Sequence, residues 1–156
     1  MLKWLMVAVA VLLVDQITKH IVSRHLALHE IVEMTSFFNL VLVYNKGAAF
    51  SFLSNAAGWQ RELFIAIALA ASVWIAWLLH KYSSQTMFCL ALSLVLGGAL
   101  GNVIDRVIHG AVTDFLDFHA LGYHWPAFNA ADSAITCGAV LLIWDALKSK
   151  SKAAAA

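Results

Sequence analysis

Six aspartates carry most of the chemistry open to this sequence: Asp15, Asp105, Asp114, Asp117, Asp132 and Asp145. Asp114 lies in Val112-Thr113-Asp114-Phe115, and Asp132 in Phe128-Asn129-Ala130-Ala131-Asp132-Ser133. Both fall on a short connection between two consecutive apolar segments. Two carboxylates brought close cannot both ionise readily, so one pKa rises and the pair holds a single proton. Such a pair can activate water, one member taking its proton while the other protonates a carbonyl oxygen. That is the requirement of aspartyl-type peptide hydrolysis. A second reading stays open for Asp132 alone, as a carboxylate in a first helical turn, where the helix dipole favours an anion.

The remaining polar residues group around these two. Asp15 sits inside an apolar run, where a carboxylate costs about 2.5–3.5 kcal/mol at helix centre. Lys19 is four residues on, one turn away on the same face. The pair reads either as an internal ion pair that lets the helix insert or as a brace for a polar site, and the two are compatible. Gly101-Asn102-Val103-Ile104-Asp105-Arg106 closes another apolar run. Asn102 and Arg106 share a face, and Arg106 offers a planar multi-donor group to a carbonyl or carboxylate. Gly97 and Gly101 form a small-xxx-small pair that admits a neighbouring helix. The alternative for this stretch is tight packing with a charged helix end. Asp145 reads as a solvated charge at the opposite end of its helix.

Other schemes fit less well. None of the seven histidines lies in a dense metal-ligand spacing, and His119 and His124 read as interfacial loop residues. No serine sits in a Gly-x-Ser-x-Gly elbow, and Ser133 reads as bonded within its helix. Cys89 and Cys137 read as small core residues at different depths, without Cys-x-x-Cys spacing. The six tryptophans lie mostly near expected helix ends, where indoles favour the interface.

These residues need elements to hold them. Of the 156 residues 62% are hydrophobic and 12% charged, well beyond a soluble domain. A net charge of +1 gives no reason to expect nucleic acid. Four apolar segments each approach the ~20 residues that cross about 30 Å of hydrocarbon. Transmembrane helices are expected at about 4–23, 62–80, 86–105 and 130–148, within a single domain over 1–156. The first reads as a retained helix and not a cleaved signal peptide. Basic residues split evenly, but Lys3, Lys81, Lys148, Lys150 and Lys152 crowd short ends and one tight turn, which favours cytoplasmic termini. Two longer outer segments remain, at about 26–60 and 107–129. In the first, Phe37 to Tyr44 reads as a strand, Asn45-Lys46-Gly47 as a turn, and Ala56 to Arg61 as a short interfacial helix. No internal repeat is evident, and the Ala153 to Ala156 tail is of low complexity.

With these segments laid out, the chain resembles the lipoprotein signal peptidase (signal peptidase II) family. Five ordered motifs carry the resemblance: Asp15-Gln16-Ile17-Thr18-Lys19, Asn45-Lys46-Gly47-Ala48-Ala49-Phe50, Gly101-Asn102-Val103-Ile104-Asp105-Arg106, Val112-Thr113-Asp114-Phe115 and Phe128-Asn129-Ala130-Ala131-Asp132. The resemblance implies an all-α membrane protein with four transmembrane helices, a small extracytoplasmic β-sheet cradle and a short interfacial helix. It implies a bacterial inner-membrane aspartic endopeptidase that cuts prolipoproteins just before a diacylglyceryl-modified cysteine. Asp114 and Asp132 match the family's catalytic pair. Asn45, Asn102, Arg106 and Asn129 match its substrate- and inhibitor-contacting residues, and Asp15, Lys19, Gly47 and Asp105 fall at supporting positions. The implied partners are prolipoproteins, membrane lipids and globomycin-type inhibitors, with no metal, no organic cofactor and no nucleic acid.

Two other functions compete. A small proton-coupled carrier would use Asp15 as its intramembrane titrating group and depend on it more than on Asp114 or Asp132. A thiol oxidoreductase needs paired cysteines in outer loops, which Cys89 and Cys137 are not. The Gly47-Ala48-Ala49 stretch suits a closely approached loop that closes over a substrate.

Overall fold

The apolar segments form four helices whose ends follow from local chemistry. The structure, a computed structural model, describes residues 1–47 and 59–154, with side chains described to residue 148. The helices are α1 (Leu2–His25), α2 (Trp59–Lys81), α3 (Thr86–His109) and α4 (Ala130–Ala154). Each is long and apolar enough to cross a bilayer, α4 over Ala130–Lys148. α3 runs four residues past its expected end at 105. Arg106 and His109 occupy its last turn, where cations suit the helix dipole. It stops at Gly110, whose φ of 75° is left-handed and free of a Cβ penalty. α4 starts from an N-cap: Asn129 Oδ1 accepts from the Asp132 N–H at 2.9 Å.

α3 is the central helix and packs against the other three. Gly97 and Gly101 face α1 so closely that an added Cβ would meet the Ala8 carbonyl at one and the Asp15 carboxylate at the other. Towards one end of the bundle, Trp4, Ala8, Ile75, Leu79, Cys89, Leu92 and Leu96 form an apolar core. Large apolar side chains such as Val73, Trp74, Ile143 and Trp144 stay exposed on the outer helices. Lipid is as apolar as they are, so their exposure costs little there.

A four-stranded antiparallel sheet closes the other end, in the order β1 (Ile31–Thr35), β2 (Phe38–Asn45), β3 (Val112–Ala120) and β4 (Tyr123–His124). The strand expected at Phe37 to Tyr44 is β2, displaced by one residue. Its register sets Val43 opposite Asp114 and Asn45 opposite Val112, with a bulge between Leu40 and Val43. The two long inter-helix segments therefore meet in one sheet. On the far edge of β3, the Phe128 carbonyl accepts from the Phe115 and Leu116 N–H groups, which brings Asn129 beside Asp114.

Two expectations are corrected. His119 and His124 are strand residues of β3 and β4, paired across the hairpin, because the main chain after α3 continues into the sheet. Their rings stack at 4.9 Å, and His124 Nδ1 lies 2.9 Å from Asp117 Oδ2. Cys89 is a core residue, its Sγ–H donating to the Tyr82 carbonyl, but Cys137 is exposed on α4. Of the short helix expected at Ala56 to Arg61, residues 59–61 belong to the first turn of α2. Residues 56–58 lie outside the described residues, as do Ala48, Ala49 and Phe50 of the second motif and Ala155 and Ala156 of the tail.

Candidate active site

The polar residues assemble where the sheet meets the helix ends. Their foundation is Lys19, 4% exposed, on α1. Its ammonium lies 2.8 Å from Asp15 Oδ2 and 3.0 Å from Asp105 Oδ2, and donates to Asn102 Oδ1 at 2.9 Å. The second oxygen of Asp15 accepts from the Ala131 N–H at 2.9 Å, so α1 caps the start of α4. Asp105 Oδ2 also accepts from the Thr113 N–H at 2.9 Å, so α3 fixes the start of β3. Each brace thus grips the main chain one residue before Asp132 or Asp114. Gln16 Nε2 ties the two braces, donating to Asp105 Oδ1 at 3.0 Å and Asp15 Oδ2 at 3.2 Å.

Above this foundation lie Asp114 on β3 and Asp132 in the first turn of α4. Both line one cavity of about 940 Å³, together with Asn45, Gly47, Asn102 and Arg106. Its other walls are largely apolar and include Val43, Phe128, Ile135 and Cys137. Asn129 is fully buried behind the pair. Its Nδ2 donates to Asp114 Oδ1 at 2.7 Å, while its Oδ1 accepts from the Asp132 N–H. Asn102 Nδ2 donates to Asp132 Oδ1 at 2.8 Å. Asn45 Nδ2 donates to Asp114 Oδ2 at 3.0 Å. Asn129 therefore bridges the two aspartates, Asn102 holds Asp132, and Asn45 steadies Asp114 from β2.

The electrostatics of Asp114 follow. Burial, and next the charge of Asp132, push its carboxyl from the ordinary 3.8 up to about 7. The bonds from Asn45 and Asn129 and the charge of Lys19 pull the other way without cancelling the rise. Near neutral pH this group holds a proton about half the time, which is what an acid–base catalyst needs.

Arg106 sits at the cavity wall, where Nη2 donates to the Gly47 carbonyl at 3.1 Å and its plane lies 5.1 Å from the Phe64 ring centre. It ties α3 to the turn after β2. Ser133 Oγ donates to the Asn129 carbonyl at 2.9 Å, inside its own helix. Asp145 is 13 residues along α4 from Asp132, about 20 Å by helical rise, and takes no part. Among the described residues, no group of three or more His, Cys, Asp or Glu is arranged to hold a metal ion.

Sequence reasoning gave no role to Gln16, Thr113 or Ala131. Gln16 and Thr113 stand within the motifs, but their contacts cross 85 residues or more or run through main-chain atoms, which no local pattern displays. Asp117 is buried in the sheet and bonded by Asn39 and His124, away from the cavity.

Comparison with known proteins agrees with this geometry. The family profile described as Signal peptidase (SPase) II matches residues 7–148. A lipoprotein signal peptidase of Janthinobacterium sp. (strain Marseille) is 57% identical over 152 residues, covering 97% of this chain and 92% of its own. One from Paraburkholderia phytofirmans is 59% identical over 145 residues, covering 93% and 84%. Among solved structures, a bacterial membrane enzyme determined by the in meso method at 2.3 Å superposes with a TM-score of 0.86 at 34% identity, over 96% of this chain and 90% of that one.

Proposed function

This chain belongs to the signal peptidase II family, and on that premise we propose that it removes signal peptides from prolipoproteins by an Asp114–Asp132 dyad. It is an aspartic peptidase and a multi-pass bacterial membrane protein. The cut falls just before a cysteine that carries a diacylglyceryl group. The observation that carries this reading is that Asp114 and Asp132 open on one cavity and are bridged by Asn129.

The reaction follows from the arrangement. The charged member of the pair takes a proton from water, the water attacks the scissile carbonyl, and the protonated member gives its proton to the developing oxyanion. Arg106, Asn45 and Asn102 line the cavity and orient the peptide. The apolar walls suit lipid and signal-helix segments. Anchoring the substrate at both ends turns remote binding energy into orientation of the reacting bond. Globomycin-type peptides would occupy the same cavity. The termini face the cytoplasm and the sheet faces outward, a topology supported by the crowding of lysines at the other end.

The carrier reading, with Asp15 as the titrating group, finds no support. Asp15 is fully buried, is spent on Lys19 and the Ala131 N–H, and does not line the cavity. The test is cleavage of a diacylglyceryl-modified prolipoprotein by purified Asp114→Asn and Asp132→Asn proteins. Both are expected to fold and to be inactive. Near-normal turnover by either would sink the dyad.

A further inference from the structure

Three side-chain amides surround the cavity-facing aspartates, and each is held one way round. An amide offers an acceptor at one end and donors at the other, so reversing it exchanges what its neighbours meet. Asn45 is held by the Gly47 N–H, which donates to its Oδ1 at 3.0 Å and leaves Nδ2 for Asp114. Asn129 is held by the Asp132 N–H, which leaves Nδ2 for Asp114. Both of these locks are main-chain groups and belong to the fold itself. The Asn102 lock is made of side chains, with Asn129 Nδ2 donating to Asn102 Oδ1 at 3.3 Å and Lys19 making the shorter contact. Lys19 Nζ donates to its Oδ1 at 2.9 Å, and Nδ2 is thereby turned to Asp132 Oδ1. An ammonium has three donors and no acceptor, so the sense of this contact is settled by chemistry. Asp15, Asp105 and Asn102 occupy all three donors. Lys19 does not line the cavity and has no donor left for a substrate.

We propose that Lys19 is a positioning residue for the hydrolysis: through the fixed amide of Asn102 it keeps an N–H donor directed at Asp132. The proposal rests on the dyad reading. An N–H directed at Asp132 Oδ1 requires that oxygen to accept. A reversed amide would present Oδ1 and demand a proton on Asp132 instead. The first turn of α4 favours negative charge at the same position. The charged groups around the pair are Arg106 on α3 and Lys46 after β2 at the cavity wall, with Lys19 and Asp15 on α1 and Asp105 on α3 behind.

A plain structural role for Lys19 would be to neutralise Asp15 and Asp105. The two roles separate in a pair of variants, each assayed as purified full-length protein in nanodiscs with a diacylglyceryl-modified prolipoprotein peptide. Lys19→Met removes the donor and one positive charge. Lys19→Met/Asp105→Asn removes one charge of each sign, so the cluster of Lys19, Asp15 and Asp105 keeps its net −1 (+1 − 2 before, 0 − 1 after). In both, kcat is expected to fall about 100-fold at neutral pH, with KM within about threefold. The acid limb of the pH–rate profile moves up by about one unit, because Asn102, held only by the longer bond from Asn129, donates less firmly to Asp132. A folded double variant with normal kcat, or with lowered kcat and an unmoved acid limb, would overturn the proposal. So would failure of both variants to fold, which would assign Lys19 to the fold alone. Asp114→Asn and Asp132→Asn, run alongside, separate the two failures. If they are active, the dyad reading falls; if they are dead while the Lys19 variants are normal, only the relay falls.

Discussion

Two pairs of aspartates lie at one end of the bundle, and their surroundings give them opposite characters. Asp15 and Asp105 share an ammonium, cap main-chain N–H groups and stay out of the cavity. Asp114 and Asp132 have no cation in direct contact among the described residues, accept from neutral amides and open on the cavity. A carboxylate whose charge is matched holds structure, whereas a pair left to share neutral donors is poised to move a proton. The same bundle end thus contains a fixed charge cluster and a reactive one, and the first positions the second by gripping Ala131 and Thr113.

The largest effect that separates the pairs is on turnover. Asp114→Asn or Asp132→Asn should lower cleavage by about 10³-fold or more while the melting temperature stays near that of the unmodified protein. Asp105→Ala should do the reverse, costing about 3–5 kcal/mol of stability by stripping Lys19 and the Thr113 N–H of a buried partner, as read by unfolding in detergent. If Asp105→Ala is as stable as the parent, the brace assignment is wrong.

How much of this was legible in the sequence depends on how far each signal travels along the chain. The four spans and β2 were readable because apolar length and β-branched runs are local. β3 was not, since Val112, Thr113, Asp114 and Phe115 are all buried and the alternation of a half-exposed strand is erased. Its hairpin turn was hidden too, because Leu121 adopts a φ of 53° where glycine or asparagine is usual. β1 is five residues long and almost wholly exposed, so no buried face marks it. The aspartates of the site were legible by residue type and motif. The amides' roles depend on which end of each faces its neighbour, and for Asn102 that is settled by Lys19, 83 residues away.

Smaller effects sharpen the comparison. Gly101→Ala would press a methyl against the Asp15 carboxylate, and should cost about 1–3 kcal/mol with partial loss of cleavage. On the pH axis, Asp114 has a raised pKa, so its folded form binds the proton more tightly than the unfolded chain does. Stability from this group is greatest below about 4 and is lost as pH rises towards about 7. Cleavage that needs Asp114 as acid should fall above about 7, roughly tenfold per unit, and a profile still rising there would reverse the roles of the pair. Asp145→Asn should change stability by less than about 0.5 kcal/mol and leave cleavage unaltered.

The most direct measurement is an infrared titration of the purified protein, following the stretching band of protonated carboxyl groups. The account predicts a buried carboxyl that loses its proton as pH is raised through about 7, a step that disappears in Asp114→Asn and persists in Asp15→Asn. A step that survives in Asp114→Asn and vanishes in Asp15→Asn would contradict it, and would move the shared proton to the pair held by Lys19.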